Sequence, residues 1–105
     1  MTADLSDLLQ RVRAATGHDP DLDAAIAGLE HRAAEVPAYT ASVDACLALV
    51  HRALPGWGWH VGYDARGVIP YAAVSKGRAR HEAGAPTVPL ALLAAILRAK
   101  TGGPG

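Results

Sequence analysis

Residues 88–97 read Val-Pro-Leu-Ala-Leu-Leu-Ala-Ala-Ile-Leu and carry no polar side chain. A helix with one apolar stripe lies on a surface. A helix apolar on nearly all sides has to be enclosed by other elements. The run is half the length of a membrane span, which takes about 20 residues, so the sequence predicts a central core helix. Thr87 is placed to cap it, Pro89 falls in its first turn, and Lys100 in its last turn suits the helix dipole. The rest of the chain must form a shell around this helix. At 105 residues there is material for one domain, since domains run to about 100–150 residues. The reading is a single domain over 1–105, with 1–3 and 101–105 frayed.

The first half of the chain supplies helices. Leu5, Leu8, Leu9 and Val12 fall at i, i+3, i+4 and i+7, one stripe of an amphipathic helix, with Gly17 as its expected C′ residue. Asp19-Pro20 reads as an N-cap followed by the first helical position. Leu22, Ala25, Ile26 and Leu29 make a second stripe, stopped by Pro37 near Glu35. Thr40 or Ser42 caps a third helix with Val43, Cys46, Leu47 and Val50 on its apolar side, and Pro55-Gly56 ends it.

The hydrophobic period then changes from 3.6 to 2. Trp57, Trp59, Val61 and Tyr63 alternate with Gly58, His60 and Gly62, which predicts a strand with one large and one nearly bare face. The large face is expected to pack under a helix, and the glycines to admit a closely packed backbone. Asp64-Ala65-Arg66-Gly67 is a turn, and residues 68–75 a second, antiparallel strand. Pro70 removes a ladder donor and favours an edge. Residues 76–86 read as a loop, with room for a short third strand near 79–82.

Half of the residues are apolar, which excludes a disordered chain, but 23 are Ala and none is Phe. The core is therefore thin. Formal net charge is zero, and a general nucleic-acid binder needs excess cations to displace counterions. The zero conceals an asymmetry: residues 1–50 hold eight acids against three Arg, and residues 51–105 seven bases against Asp64 and Glu82. Two mutually attractive halves explain this, and a basic face for an anion is the sharper reading. Cys46 is the single cysteine and lies in an apolar run, where a thiol behaves as a small hydrophobe. The acidic, polar N-terminus is unlike a signal peptide. A cytoplasmic location and no membrane association are expected.

The motifs with chemical meaning are few. Asp19, Asp21 and Asp23 with Glu30 reproduce the spacing of a calcium loop, with Ile26 at the usual apolar place. Ala24 stands where the loop needs Gly, and Pro20 starts a helix that spreads these side chains apart. Of the five histidines, His18, His31, His51, His60 and His81, no two have metal-ligand helical spacing. Ser6, Ser42 and Ser75 lie in no nucleophile elbow, and no glycine-rich phosphate loop follows a strand. Neither a catalytic residue, a metal nor a cofactor is expected. The residues best suited to hold a ligand are His60 on the bare strand face, Arg78 and Arg80 for an anionic group, and Tyr71 or Trp59 as a stacking surface.

Three runs carry a family resemblance: Pro37-Ala38-Tyr39-Thr40-Ala41-Ser42-Val43-Asp44-Ala45, then Pro55-Gly56-Trp57-Gly58-Trp59 with Gly62, then Gly84-Ala85-Pro86-Thr87 leading into the Leu/Ala-rich helix. Together they resemble the phage ABA-sandwich domain family, small proteins of phages and prophages. The resemblance covers most of residues 18–100 and implies a layered fold and a phage or prophage origin. It implies no activity.

The expected architecture is α+β: N-terminal helices, an antiparallel sheet of two or three strands, and a core C-terminal helix in a layered sandwich. The expected role is that of a non-enzymatic accessory protein acting on a host or phage protein. A homodimer is expected to cover a sheet edge or the apolar last helix. A small anionic ligand of nucleotide type is the alternative, and a single-stranded nucleic-acid or virion component a further one.

Overall fold

Local signals begin and end most elements where the spacing places them. The structure, a computed structural model, describes residues 5–29 and 36–101. Its elements are α1 (Leu5–Ala14), α2 (Pro20–Leu29), α3 (Val43–Ala53), β1 (Gly58–Tyr63), β2 (Pro70–Lys76), β3 (Ala79–Gly84) and α4 (Val88–Thr101). The end of α2 near Glu35, the residues Glu30 and His31, and the chain ends at 1–4 and 102–105 lie outside the described residues.

Side-chain caps are in place at three helices. The Leu22 N–H donates to Asp19 Oδ1 at 3.1 Å, the Ala45 N–H to Ser42 Oγ at 3.1 Å, and the Leu90 N–H to Thr87 Oγ1 at 3.4 Å. Each satisfies one of the donors that a helix start leaves unpaired. Of the two residues able to cap α3, Ser42 does so. Thr40 is buried and does something else. Its N–H donates to Asp23 Oδ1 at 2.7 Å, and its Oγ1 accepts the Asp19 N–H at 2.8 Å. Asp23, also buried, bonds His18 Nε2 through its other oxygen at 3.1 Å. The Asp23 carboxylate and the Asp19 main chain thus tie the start of α2 to the approach of α3, while the Asp19 carboxylate caps α2. Gly17 does not act as the C′ residue of α1: the helix stops at Ala14, and Gly17 stays out of the left-handed region.

The three strands form one antiparallel sheet in the order β1-β2-β3. Residues 79–84 are a full edge strand rather than loop, joined to β2 by the two-residue turn Gly77-Arg78. Gly77 has φ 61°, the left-handed geometry that hairpin turns of this length require. The third strand corrects the place of Pro70. It stands in the central strand, where it is tolerated as the first residue, and its carbonyl accepts the Ala85 N–H at 3.2 Å.

Helix α4 is the centre of the molecule. Every residue from Leu90 to Leu97 is buried. One side lies on the sheet, chiefly on β2 and β3, and the other meets α1 and α3. The layers run sheet, α4, then α1–α3, an α+β sandwich with the apolar helix in the middle. Burying each Leu side chain contributes about 1.5–3 kcal/mol, so the four leucines of α4 anchor a core otherwise rich in Ala. The helices leave a hollow of about 240 Å³ lined by Leu5, Ile26, Leu49, Ala53, Ile96 and Leu97. Among the described residues, no helix is long and apolar enough to cross a membrane.

Candidate functional site

The sheet has two faces, and α4 covers one. Val74 and Ala72 of β2, both buried, point into the core under α4, with Trp57, Val61 and Ala83 packed at their margins. Ala73 is buried yet belongs to the opposite face. Among the described residues no helix packs on that face. The register sets it out as a grid. Gly58, Ser75 and Arg80 form one row, His60, Ala73 and Glu82 the next, and Gly62, Tyr71 and Gly84 the last.

Three of the five expected site residues, His60, Tyr71 and Arg80, are therefore on one open face. Each is engaged with a neighbour. His60 Nε2 and the Tyr71 hydroxyl are 2.7 Å apart, and Arg80 Nη2 donates to Glu82 Oε2 at 2.8 Å. Ala73 between them is 2% exposed, so the floor is sealed by its neighbours' side chains rather than hollowed. Arg78 sits in the β2–β3 turn. The glycines do not admit a close-packed helix. Gly62 instead receives the ring of Tyr71, its partner across the ladder, whose Cε1 lies 3.2 Å from where a Cβ would be.

Trp59 is on the other face, and the expectation that a helix covers its strand face needs correction. Trp57 and Val61 are half-buried against the core, but Trp59 is 44% and Tyr63 56% exposed. The physical reason is lateral position. Helix α4 sits over β2 and β3 and barely reaches β1, so the helix side of β1 is open. Trp57 leans inward, its ring centroid 6.0 Å from that of His81. His81 is buried under α4 with its Nδ1 unpaired among the described residues.

The backbone of β1 is equally open. The Asp64 N–H donates to the Ile69 carbonyl at 2.9 Å, which makes 64 and 69 a hydrogen-bonded pair. Antiparallel pairs alternate between bonded and non-bonded. Following the register, Gly62, His60 and Gly58 turn their backbone groups to β2. Trp59, Val61 and Tyr63 aim theirs outward. The opposite edge differs. On β3 the outward Glu82 carbonyl accepts Arg98 Nη1 at 2.9 Å, and charged Arg80 and Glu82 stand guard beside it. Strand β1 has no Lys, Arg, Asp, Glu or Pro, the usual devices that keep an edge from pairing.

No protein-family model, curated protein or solved structure matches the chain. Function has to be argued from this geometry. Of its two surfaces, the open face has His60 paired with Tyr71 and Arg80 with Glu82. Among the described residues, the edge of β1 has three unpaired N–H groups, three unpaired carbonyls and two exposed aromatic rings. Sequence reading placed Trp59 in the site but not Tyr63 or Val61. The missing signal is available in hindsight as the contrast between an uncharged 58–63 and a charged 80–82. It has meaning only once both are known to be edges.

Cys46 takes no part in chemistry. Its thiol is buried and donates to the Tyr39 carbonyl at 3.1 Å. Burial, with the negative charge of Asp23 adding to it, pushes its pKa up to about 12.

Proposed function

We propose that this protein is a non-enzymatic accessory protein of phage or prophage origin, active in the cytoplasm, that works by protein–protein interaction through the outer edge of β1. The observation that carries this reading is the pairing-ready edge itself: outward backbone groups at Trp59, Val61 and Tyr63, no charged guard, and two large rings left uncovered beside it. Adding a strand to such an edge gives affinity through main-chain hydrogen bonds and specificity through the flanking side chains. The phage or prophage origin rests on the resemblance of the runs at 37–45, 55–59 and 84–99 to the phage ABA-sandwich family.

Hydrogen exchange under native conditions tests the reading. The amides of Trp59, Val61 and Tyr63 are expected to exchange slowly when the protein is bound to its polypeptide partner, whether another protein or its own copy, and fast when it is free. A partner that binds with these three amides still fast places the contact elsewhere and overturns the reading. Equal binding by Trp59→Lys does the same.

A further inference from the structure

We infer that the occupant of the β1 edge is β1 of a second copy, paired antiparallel about a two-fold axis at Val61 to give a continuous six-stranded sheet. The inference rests on the edge-interaction reading and adds its partner and register.

The strand is self-complementary in its backbone. Its outward groups belong to residues 59, 61 and 63, spaced evenly about 61. Antiparallel pairing with Val61 opposite Val61 sets 59 against 63 and 63 against 59. Every outward N–H then meets an outward carbonyl. Sliding the register by two residues brings position 57 or 65 into the ladder. Position 57 cannot serve, because the Trp57 N–H is already bonded to the Leu54 carbonyl at 3.1 Å.

The side chains agree with the same register. On the helix side, each Trp59 faces the Tyr63 of the other copy, a directly opposed aromatic pair. The axis is perpendicular to the sheet, so both α4 helices lie on one side. Each sits back over its own β2 and β3, leaving a valley above the paired edges that the four rings fill. On the open face, His60 stands opposite Gly62 of the second copy, which has no side chain of its own and carries the Tyr71 ring over its backbone.

Charge also fits. The paired strands bring no like charges together. Lys76 Nζ lies beside Gly56, two residues before β1, 3.6 Å from a Cβ placed there. The Asp64 carboxylate stands at the other end with Arg66 paired to it at 3.5 Å, and the antiparallel arrangement carries this neutral pair, rather than a bare cation, toward the Lys76 end of the second copy. The apolar α4, by contrast, offers nothing to a second copy, because its residues Leu90 to Leu97 are already buried within one chain.

Light scattering and cysteine pairing test the inference together. At about 100 μM, well above a micromolar dissociation constant, the chain is expected to run at twice its monomer mass. Opposed residues of a bonded pair have Cα atoms about 5.5 Å apart, within disulfide reach. Val61→Cys is therefore expected to cross-link to itself under mild oxidation. Trp59→Cys and Tyr63→Cys are expected to stay uncoupled alone and to cross-link when mixed. The native Cys46 is too deeply buried to interfere. Should the cysteine variants fail to fold, slow amide exchange at 59, 61 and 63 that quickens on dilution of the unaltered protein gives the same information. A monomer at this concentration overturns the inference. If those amides are then protected by a different polypeptide, the edge reading survives without it. A dimer whose three amides remain fast defeats both.

Discussion

Tyr71 lies across the bare backbone of Gly62, its partner on the neighbouring strand, and reaches past it to hydrogen-bond His60 at 2.7 Å. An aromatic ring over a strand glycine covers backbone that would otherwise be wet, and here it also holds the imidazole. Ala at position 62 would put a methyl group 3.2 Å from the ring edge, so the ring must move outward. Because the ring is at the surface it can do so. Gly62→Ala is expected to break the His60–Tyr71 contact while changing stability by no more than about 1 kcal/mol. Ring contacts by NMR and urea unfolding check both halves, and a loss above about 3 kcal/mol would mean the ring is fixed in place.

Leu93 is fully buried near the middle of α4, with the sheet on one side and the N-terminal helices on the other. Truncating it leaves a cavity inside the core. Leu93→Ala is expected to cost about 2–5 kcal/mol, a large share of the 5–15 kcal/mol that holds a typical domain together. Chemical denaturation measures this directly. A cost below about 1 kcal/mol would show that α4 is not the centre of the core.

Asp64 organises the β1–β2 turn. Its Oδ1 accepts the N–H groups of Val68 at 2.9 Å and Ile69 at 3.2 Å. The Val68 and then the Ile69 hydrogen bond hold its carboxyl below the usual carboxylate range. A folded-state pKa below the unfolded one means stabilisation that is present above the ordinary value and lost as pH falls through the lowered one. The carboxyl of Asp64 followed by NMR is expected to titrate below the ordinary aspartate value. The stability gap between the native chain and Asp64→Ala is expected to narrow as the solution is acidified through that range. Titration at an ordinary value would break the argument.

Cys46 gives a pH dependence of the opposite kind. With its thiol raised to about 12 in the fold, the folded state excludes the thiolate. Its contribution is intact below the ordinary thiol value and lost as pH rises past it. At pH 8, alkylation by iodoacetamide is expected to be slow and to follow unfolding, because the thiolate is the reactive form. Rapid alkylation of the native protein would show that the thiol is accessible. Serine at this position is expected to retain the fold, since its hydroxyl can donate to the Tyr39 carbonyl in place of the thiol.

Much of the architecture could be read one residue at a time. The caps at Asp19, Ser42 and Thr87 are local chemistry, as are the turn at Asp64 and the switch of period at Pro55-Gly56. The enclosed helix after Thr87 follows from its own composition. The third strand was harder, because Ala79, Arg80, His81 and Glu82 carry no clean alternation of apolar and polar side chains. It forms because the Gly77 turn brings the chain back along β2, where its backbone groups find partners. The candidate site was half legible. His60, Tyr71 and Arg80 do share a face, yet Glu82 neutralises Arg80 only because residues 79–84 form a strand, which sets the two side chains on one side.

The sequence by itself determined helices α1 to α4, the caps that start three of them, strands β1 and β2, and that the last helix is enclosed. Those outcomes depend on residues within a turn or two of one another. Only the tertiary structure decided that β1 is an edge, that α4 settles over β2 and β3, and that Trp59 and Tyr63 are left uncovered. Alternation along a strand assigns its side chains to two faces but does not say what covers either face. That depends on strand order and on the sideways placement of a helix, both set by contacts between segments far apart in the chain.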